Sequence, residues 1–301
     1  MGQTIGELLD DQPSVETLAT RCGLPAEKIG RLVNFLAADK ALDLTADGRV
    51  AHTPGSRRLP ALAGAVHILA MNSQASPVLY DALKRGVSAF EASNGKPVFA
   101  HFAEHPEAGA QFVEFMGILN QRTEAFVFAA HDFKPFRRAV DVGGSHGGLL
   151  LGLLARHTDA RGILFDLPET AAQVAPAVLA SPQGERVDVV AGDFFRAVPT
   201  GDLYLLKQIL HDWSDDECVA ILKSIRTAIA PGGRIAVIDF VLPERPAMTD
   251  GLVMDIAMMI WATGRERKVS EFQALFVAAG FAFDRITENP RGQSVIEAVP
   301  V

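Results

Sequence analysis

The stretch Val140-Asp141-Val142-Gly143-Gly144-Ser145-His146-Gly147-Gly148 constrains the fold of this chain more than any other. A short apolar run leads into it, and Leu149–Arg156 leads out with helical apolar spacing, so it joins a strand to a helix. Glycines at such a joint let the backbone turn tightly and approach a ligand at the helix N-terminus. The next apolar run ends at Asp166, 23 positions after Gly143. A carboxylate at the carboxyl end of the neighbouring strand is placed to accept hydrogen bonds from ribose hydroxyls.

The loop also narrows the choice of nucleoside. The dinucleotide pattern G-x-G-x-x-G fails in both frames: its second glycine falls on Ser145 counted from Gly143, and on His146 counted from Gly144. A side chain there crowds a pyrophosphate, which disfavours NAD and FAD, and no Lys-Ser/Thr pair closes the loop. S-adenosylmethionine, an adenosine without phosphates, fits better.

Around this joint the chain alternates. Apolar runs at Ala139–Val142, Gly162–Phe165, Val187–Ala191, Leu203–Leu206 and Ile235–Phe240 are mostly separated by helical stretches, the pattern of a parallel sheet with helices on both faces. The end differs. Phe281–Thr287, a turn at Asn289-Pro290-Arg291-Gly292 and Ser294–Val299 read as a hairpin that gives the sheet an antiparallel edge strand. At the front, a helix capped by Ser14, a turn at Cys22-Gly23-Leu24-Pro25, a helix over Ala26–Ala38 and a hairpin about Ala46-Asp47-Gly48 form a winged-helix pattern. The reading is α/β: a Rossmann-like, mostly parallel sheet behind an α-helical winged-helix domain. Boundaries are expected at 1–60, 61–135 (helical, linking and pocket-forming) and 136–301.

Charge decides between uses of the front module. The whole chain carries a net charge of −8, and residues 1–60 hold seven basic against eight acidic side chains. Nucleic-acid binding normally needs a basic face, so a dimerisation or packing module is the better reading than a winged-helix regulator. Two cysteines, Cys22 and Cys218, give neither a disulfide framework nor a metal cluster, and a reducing cytoplasm is the expected compartment. The N-terminal residues lack a signal-peptide profile, and the apolar stretch Leu252–Thr263, broken by Asp255, is too short for a bilayer.

Further motifs follow the glycine loop: Phe165-Asp166-Leu167-Pro168, Gly192-Asp193-Phe194-Phe195, Leu206-Lys207-Gln208-Ile209-Leu210-His211-Asp212-Trp213-Ser214-Asp215, Ala230-Pro231-Gly232-Gly233-Arg234 and Gly264-Arg265-Glu266-Arg267. In order and spacing the whole chain resembles the S-adenosylmethionine-dependent O-methyltransferases of the plant caffeate/isoflavone type and their bacterial natural-product relatives. The resemblance implies that Gly143 lies against the methionine and ribose portion of the cofactor, with Ser145 in the same loop. It implies that Asp166 holds the ribose and Asp193 the adenine amino group, with Phe194 on the ring and Lys207 beside the base. It also implies a homodimer. Ser145-His146 departs from the family's usual Gly-Thr-type pair.

His211 follows the apolar strand and its extension to Leu210, just ahead of a helix over Asp215–Ala228 that Ser214 and Glu217 cap as a box. It therefore falls at the carboxyl edge of the sheet, where open α/β folds bind ligands. A phenol with a pKa of about 10 needs a base at neutral pH, and an imidazole can take its proton. By resemblance Glu266 and Asp239 orient that base, with Asp212 adjacent. Phe112, Phe115, Met116 and Asn120, with Met254, Met258, Met259 and Trp261, suit a flat aromatic acceptor and suit a core equally. Base-assisted transfer requires no metal, and none is expected. The alternative on this scaffold is a hydroxylase or decarboxylase that keeps the cofactor's methyl group.

Overall fold

Ser14 starts helix α1 (Val15–Cys22) by accepting a hydrogen bond from the Thr17 N–H, and Gly23 ends it in the left-handed region. Helix α2 (Ala26–Ala38) and the antiparallel pair β1 (Leu42–Leu44) and β2 (Val50–His52) complete a helix, helix and wing. Leu8, Leu9, Leu18, Ile29, Val33, Leu42 and Val50 form the core of this unit. The computed structural model describes residues 7–38, 40–58, 74–245, 249–289 and 292–301. It divides into two units, Met1–Ile68 and Leu69–Val301.

The second unit begins with helices. Helices α3 (Leu79–Arg85), α4 (Ala89–Asn94), α5 (Val98–Glu104) and the long α6 (Pro106–Ala130) break where the sequence places Gly86, Gly95 and Pro106. Strands and helices then alternate: β3 (Arg138–Val142), α7 (Gly148–Arg156), β4 (Arg161–Asp166), α8 (Pro168–Leu179), β5 (Val187–Ala191), β6 (Gly201–Lys207), α9 (Asp215–Ala228), β7 (Ile229–Leu242), α10 (Asp250–Trp261), β8 (Arg267–Lys268), α11 (Val269–Ala278), β9 (Phe281–Thr287) and β10 (Gln293–Pro300).

The sheet order is β5-β4-β3-β6-β7-β10-β9, with short β8 beside the end of β7. All pairings are parallel except those of β10. This corrects the expected edge. The terminal hairpin forms, but its last strand inserts between β7 and β9, so the antiparallel strand is internal and β9 takes the edge. Burial explains the order: Val295, Ile296, Glu297 and Ala298 are fully buried, whereas β9 carries Asp284 and Arg285 and is only partly covered. A strand buried on both faces belongs inside the sheet.

Side chains alternate between two cores. Val140, Val142, Tyr204, Leu206, Ile235 and Val237 meet α9 and α11 on one face. Ala139, Leu203, Leu205, Ala236 and Ile238 meet α6, α7 and α8 on the other. No helix among the described residues is long and apolar enough to cross a membrane.

Candidate active site

The glycine loop leaves β3 with Gly143 at φ +67°, and the N–H groups of Gly143 and Gly144 donate to the Phe165 carbonyl at the end of β4. Ser145 follows at φ +48°, held by its N–H donating to Asp166 Oδ2 at 2.8 Å. Asp166 Oδ1 accepts from the Leu167 N–H at 2.7 Å. Asp166 thus braces the loop as well as ending the strand. The Thr170 side chain also bonds it, and since a carboxylate has about four acceptor sites, capacity remains for a ribose hydroxyl. Burial pushes the Asp166 carboxyl up against the pull of these N–H donors.

Asp193 and Phe194 stand beyond the end of β5. Asp193 Oδ1 accepts from the Phe195 N–H, and the Phe194 ring meets Trp213 edge-on at 5.8 Å. Lys207 is elsewhere. Three strand steps of about 4.8 Å separate β6 from β5, and Lys207 falls on the face of Leu203 and Leu205, where Nζ meets Glu124 Oε1 of α6 at 3.1 Å. The resemblance implies that this lysine lies beside the base; in the sheet it ends β6, the neighbour of β3, whose end leads into the glycine loop. Asp141 projects to the same face and is 2% exposed, with Oδ2 unpartnered among the described residues. Burial pushes its carboxyl up to about 7, opposed by Lys207. Burial likewise pushes Lys207 down, opposed by Glu124. These donors and acceptors fit an adenosine carrying a charged amino-acid tail.

On the opposite face lies a second cluster. Strand β6 does not extend to Leu210 as its apolar run suggests. Gln208 takes φ +53°, its N–H bonds the Ile238 carbonyl, and the chain turns into a short 3-10 helix over Leu210–Asp212. His211 is consequently buried, with Nδ1 2.8 Å from Glu266 Oε1 and Nε2 3.7 Å from Asp212 Oδ1. Asp239, fully buried on β7, has both carboxyl oxygens unpartnered among the described residues. Burial pushes the imidazole down, but Asp212, then Glu266 and Asp239, outweigh it and hold His211 up at about 10. Burial drives Asp239 well above the carboxylate range and raises Asp212 to about 6.

Two local features fix this geometry. Gly264 passes so close that a Cβ there would collide with the backbone of His211, Asp212 and Trp213. Arg267, fully buried, donates to the carbonyls of Leu210 and Trp213, each at 2.8 Å, and to Asp215. The exposed ion pairs of this segment are those of Arg265 with Asp215 and Glu271. Glu266 itself is buried, its N–H donating to Asp255. Arg267 and Glu124 were missed because their partners lie 57 and 83 residues away.

Rings connect the two ends. Trp213 stacks on Phe99 at 5.9 Å, Phe99 meets Phe112, and Phe112 meets Trp261, which stacks on Phe90. Phe112 and Trp261 are therefore brought together near the His211 loop. Phe115, Met116 and Met254 are half-buried, and Met258 is core. Met259 is 37% exposed, along one side of α10 with Val253 and Ile256, three residues apart. The Asn120 side chain lies outside the described residues.

The O-methyltransferase domain family matches residues 77–282. This chain belongs to that family. Phenazine O-methyltransferase PhzM of Lysobacter antibioticus is 33% identical to the methyltransferase over 310 residues, covering 99% of this chain and 89% of its own length. The 3-amino-4-hydroxybenzoate 4-O-methyltransferase of Streptomyces cremeus is 34% identical over 287 residues, 92% of this chain and 78% of that protein. The solved structure of O-methyltransferase NcsB1 from neocarzinostatin biosynthesis, in complex with S-adenosylmethionine and 2-hydroxy-5-methyl naphthoic acid, is also similar. Its TM-score is 0.84 at 26% identity, covering 96% of this chain and 90% of that one. The methyltransferase domain is thus of the S-adenosylmethionine-dependent type, and its two buried clusters lie at the carboxyl edge of one sheet.

Proposed function

We propose that the protein transfers a methyl group from S-adenosylmethionine to a hydroxyl of a small aromatic molecule, with His211 as the general base. The observation that carries this is the buried 2.8 Å contact of His211 Nδ1 with Glu266. It fixes the tautomer: Nδ1 donates to the carboxylate, and Nε2 is left to exchange a proton with the acceptor. Names of relatives supply the acceptor class, since two of them act on a phenazine and a hydroxybenzoate, and the Trp213–Phe99–Phe112–Trp261 rings offer flat surfaces for such a molecule.

The bound donor supplies a methyl on a sulfonium, which needs alignment more than covalent help. The chain's part is to make the acceptor oxygen anionic. An imidazole held at about 10 matches a phenol of about 10. Phenol and imidazole then titrate as one unit. Their reactive state places the phenolate against the Nε2 proton of the imidazolium, whose charge draws the phenol's ionisation below its solution value. Glu266 and Asp212 compensate that imidazolium. Asp239, the third carboxyl group acting on the imidazole, is itself driven above the usual carboxylate range by burial.

The cofactor side is assigned to Gly143, Ser145, Asp166, Asp193, Phe194 and Lys207. We also propose a homodimer in the cytoplasm, with residues 1–60 as the dimerisation module, which sedimentation of the purified protein tests. For the activity, labelled S-adenosylmethionine is incubated with a panel of phenols. Formation of S-adenosylhomocysteine together with labelled ether is the expected result. Turnover of the donor without label transfer would favour the hydroxylase or decarboxylase reading.

A further inference from the structure

Glu124 reaches the glycine loop from α6, a helix outside the strand-helix alternation. Its Oε1 lies 3.1 Å from Lys207 Nζ and 3.7 Å from His146 Nε2. It also sits at the N-terminus of α7: a Cβ on Gly148 would fall 2.7–2.9 Å from both Glu124 oxygens and His146 Nε2. The N-cap of α7 is Gly147, which offers no side-chain acceptor. Beside this pair, Asp141 Oδ2 is buried and unpartnered among the described residues.

Among the described residues this site is short of a donor: the Lys207 ammonium meets Glu124, and Asp141 Oδ2 is left without one. His146 does not supply a second charge, because burial pushes its imidazole down. Its ring instead fills the space against α6, with carbon atoms 3.6 Å and 3.7 Å from where a Cβ on Gly117 would stand. A ligand that brings both an ammonium and a carboxylate can enter the Lys207–Glu124 pair and give Asp141 Oδ2 a donor. A ligand with a neutral tail cannot.

We propose that Glu124, buttressed by His146, is the residue through which this chain reads the α-ammonium of the donor's amino-acid tail, sharing it with Asp141 while Lys207 takes the α-carboxylate. This rests on S-adenosylmethionine being the donor. It also gives a use to the Ser145-His146 pair that departs from the family pattern: the histidine fixes the rotamer of Glu124 without neutralising it.

The test is a binding cycle by calorimetry on the full chain, with wild type and Glu124→Gln. The ligands are S-adenosylhomocysteine, its analogue lacking only the α-amino group, and 5′-methylthioadenosine, which lacks the whole tail. In wild type, removing the amino group should weaken binding about tenfold or more, and removing the tail further. In Glu124→Gln, S-adenosylhomocysteine should bind about tenfold more weakly, the desamino analogue should lose little further, and 5′-methylthioadenosine should bind as it does to wild type. That unchanged affinity also reports an intact fold. The coupling between Glu124 and the amino group isolates their pairwise interaction from a structural effect. Equal weakening of all three ligands in the variant would overturn the proposal. So would a wild type that binds the desamino analogue as tightly as S-adenosylhomocysteine, a result needing no variant. Wild type binding none of the three would instead remove the donor assignment.

Discussion

Two buried cations stand at the end of the same strand, four residues apart, and their surroundings move them in opposite directions. Lys207 meets Glu124 on the α6/α7 face, and burial pushes it down. His211 meets Glu266 beside β7 and α9, and three carboxyl groups hold it up against burial. What differs is the hold on the cation itself. Both sides keep orphan polar atoms among the described residues: Asp141 Oδ2 and His146 Nδ1 on the lysine side, both Asp239 oxygens and Glu266 Oε2 on the histidine side. The histidine, however, is fixed by a 2.8 Å hydrogen bond to Glu266 on a loop that buried Arg267 braces, which suits a group that must hold one proton in one orientation. Burial alone therefore does not set function. The number and geometry of the opposing charges do.

The largest expected effect tests whether loop geometry underlies the histidine side. Arg267→Met removes donors to two buried carbonyls and should destabilise the second unit by roughly 2–4 kcal/mol. A denaturant titration checks this, and an unchanged midpoint would move the support of His211 elsewhere. Next, Asp166→Ala should weaken S-adenosylhomocysteine by roughly 1–3 kcal/mol, losing both a ribose acceptor and the brace on Ser145. Calorimetry measures it, with a turnover at saturating donor close to wild type if the two clusters act separately.

Glu266→Gln sharpens the contrast further. The imidazolium keeps Asp212 and Asp239 but loses its orienting carboxylate, so turnover should fall roughly tenfold, about 1.4 kcal/mol, with donor affinity unchanged in calorimetry. A parallel fall in donor affinity would mean that the two faces are one site. Met259→Ala is the smallest. On the exposed side of α10 it should change acceptor KM and stability by less than about 0.5 kcal/mol, and a larger rise in KM would place Met259 in the pocket.

Local pattern made much of this legible. The Ser214–Glu217 capping box, the α2 bounds and the wing turn between β1 and β2 depend on residues a few positions apart, and they stand where the sequence puts them. Pairing at a distance was not legible. Nothing in Ser294–Val299 states which strand it will flank, and only its burial on both faces sends it inside the sheet. The positive φ at Gln208 hides within an apolar run that reads as continuous strand. Glu124 looks like one polar position on a long helix until the fold brings it to Lys207. Glu266 and Asp239 could be named beforehand through family resemblance, since a carboxylate 55 residues from its histidine leaves no spacing to read.

Single-turnover methyl transfer at saturating acceptor, compared among wild type, His211→Ala and His211→Gln from pH 7 to pH 10, tests the base assignment most directly. S-adenosylhomocysteine affinity is measured alongside. Both variants should bind the cofactor as wild type does and transfer the methyl group about 10²–10⁴-fold more slowly at pH 7. Toward a phenol's own pKa of about 10 the gap should narrow, because the oxyanion then forms without the imidazolium. Near-normal transfer in either variant, or a loss that high pH leaves untouched while cofactor affinity is intact, would contradict the account.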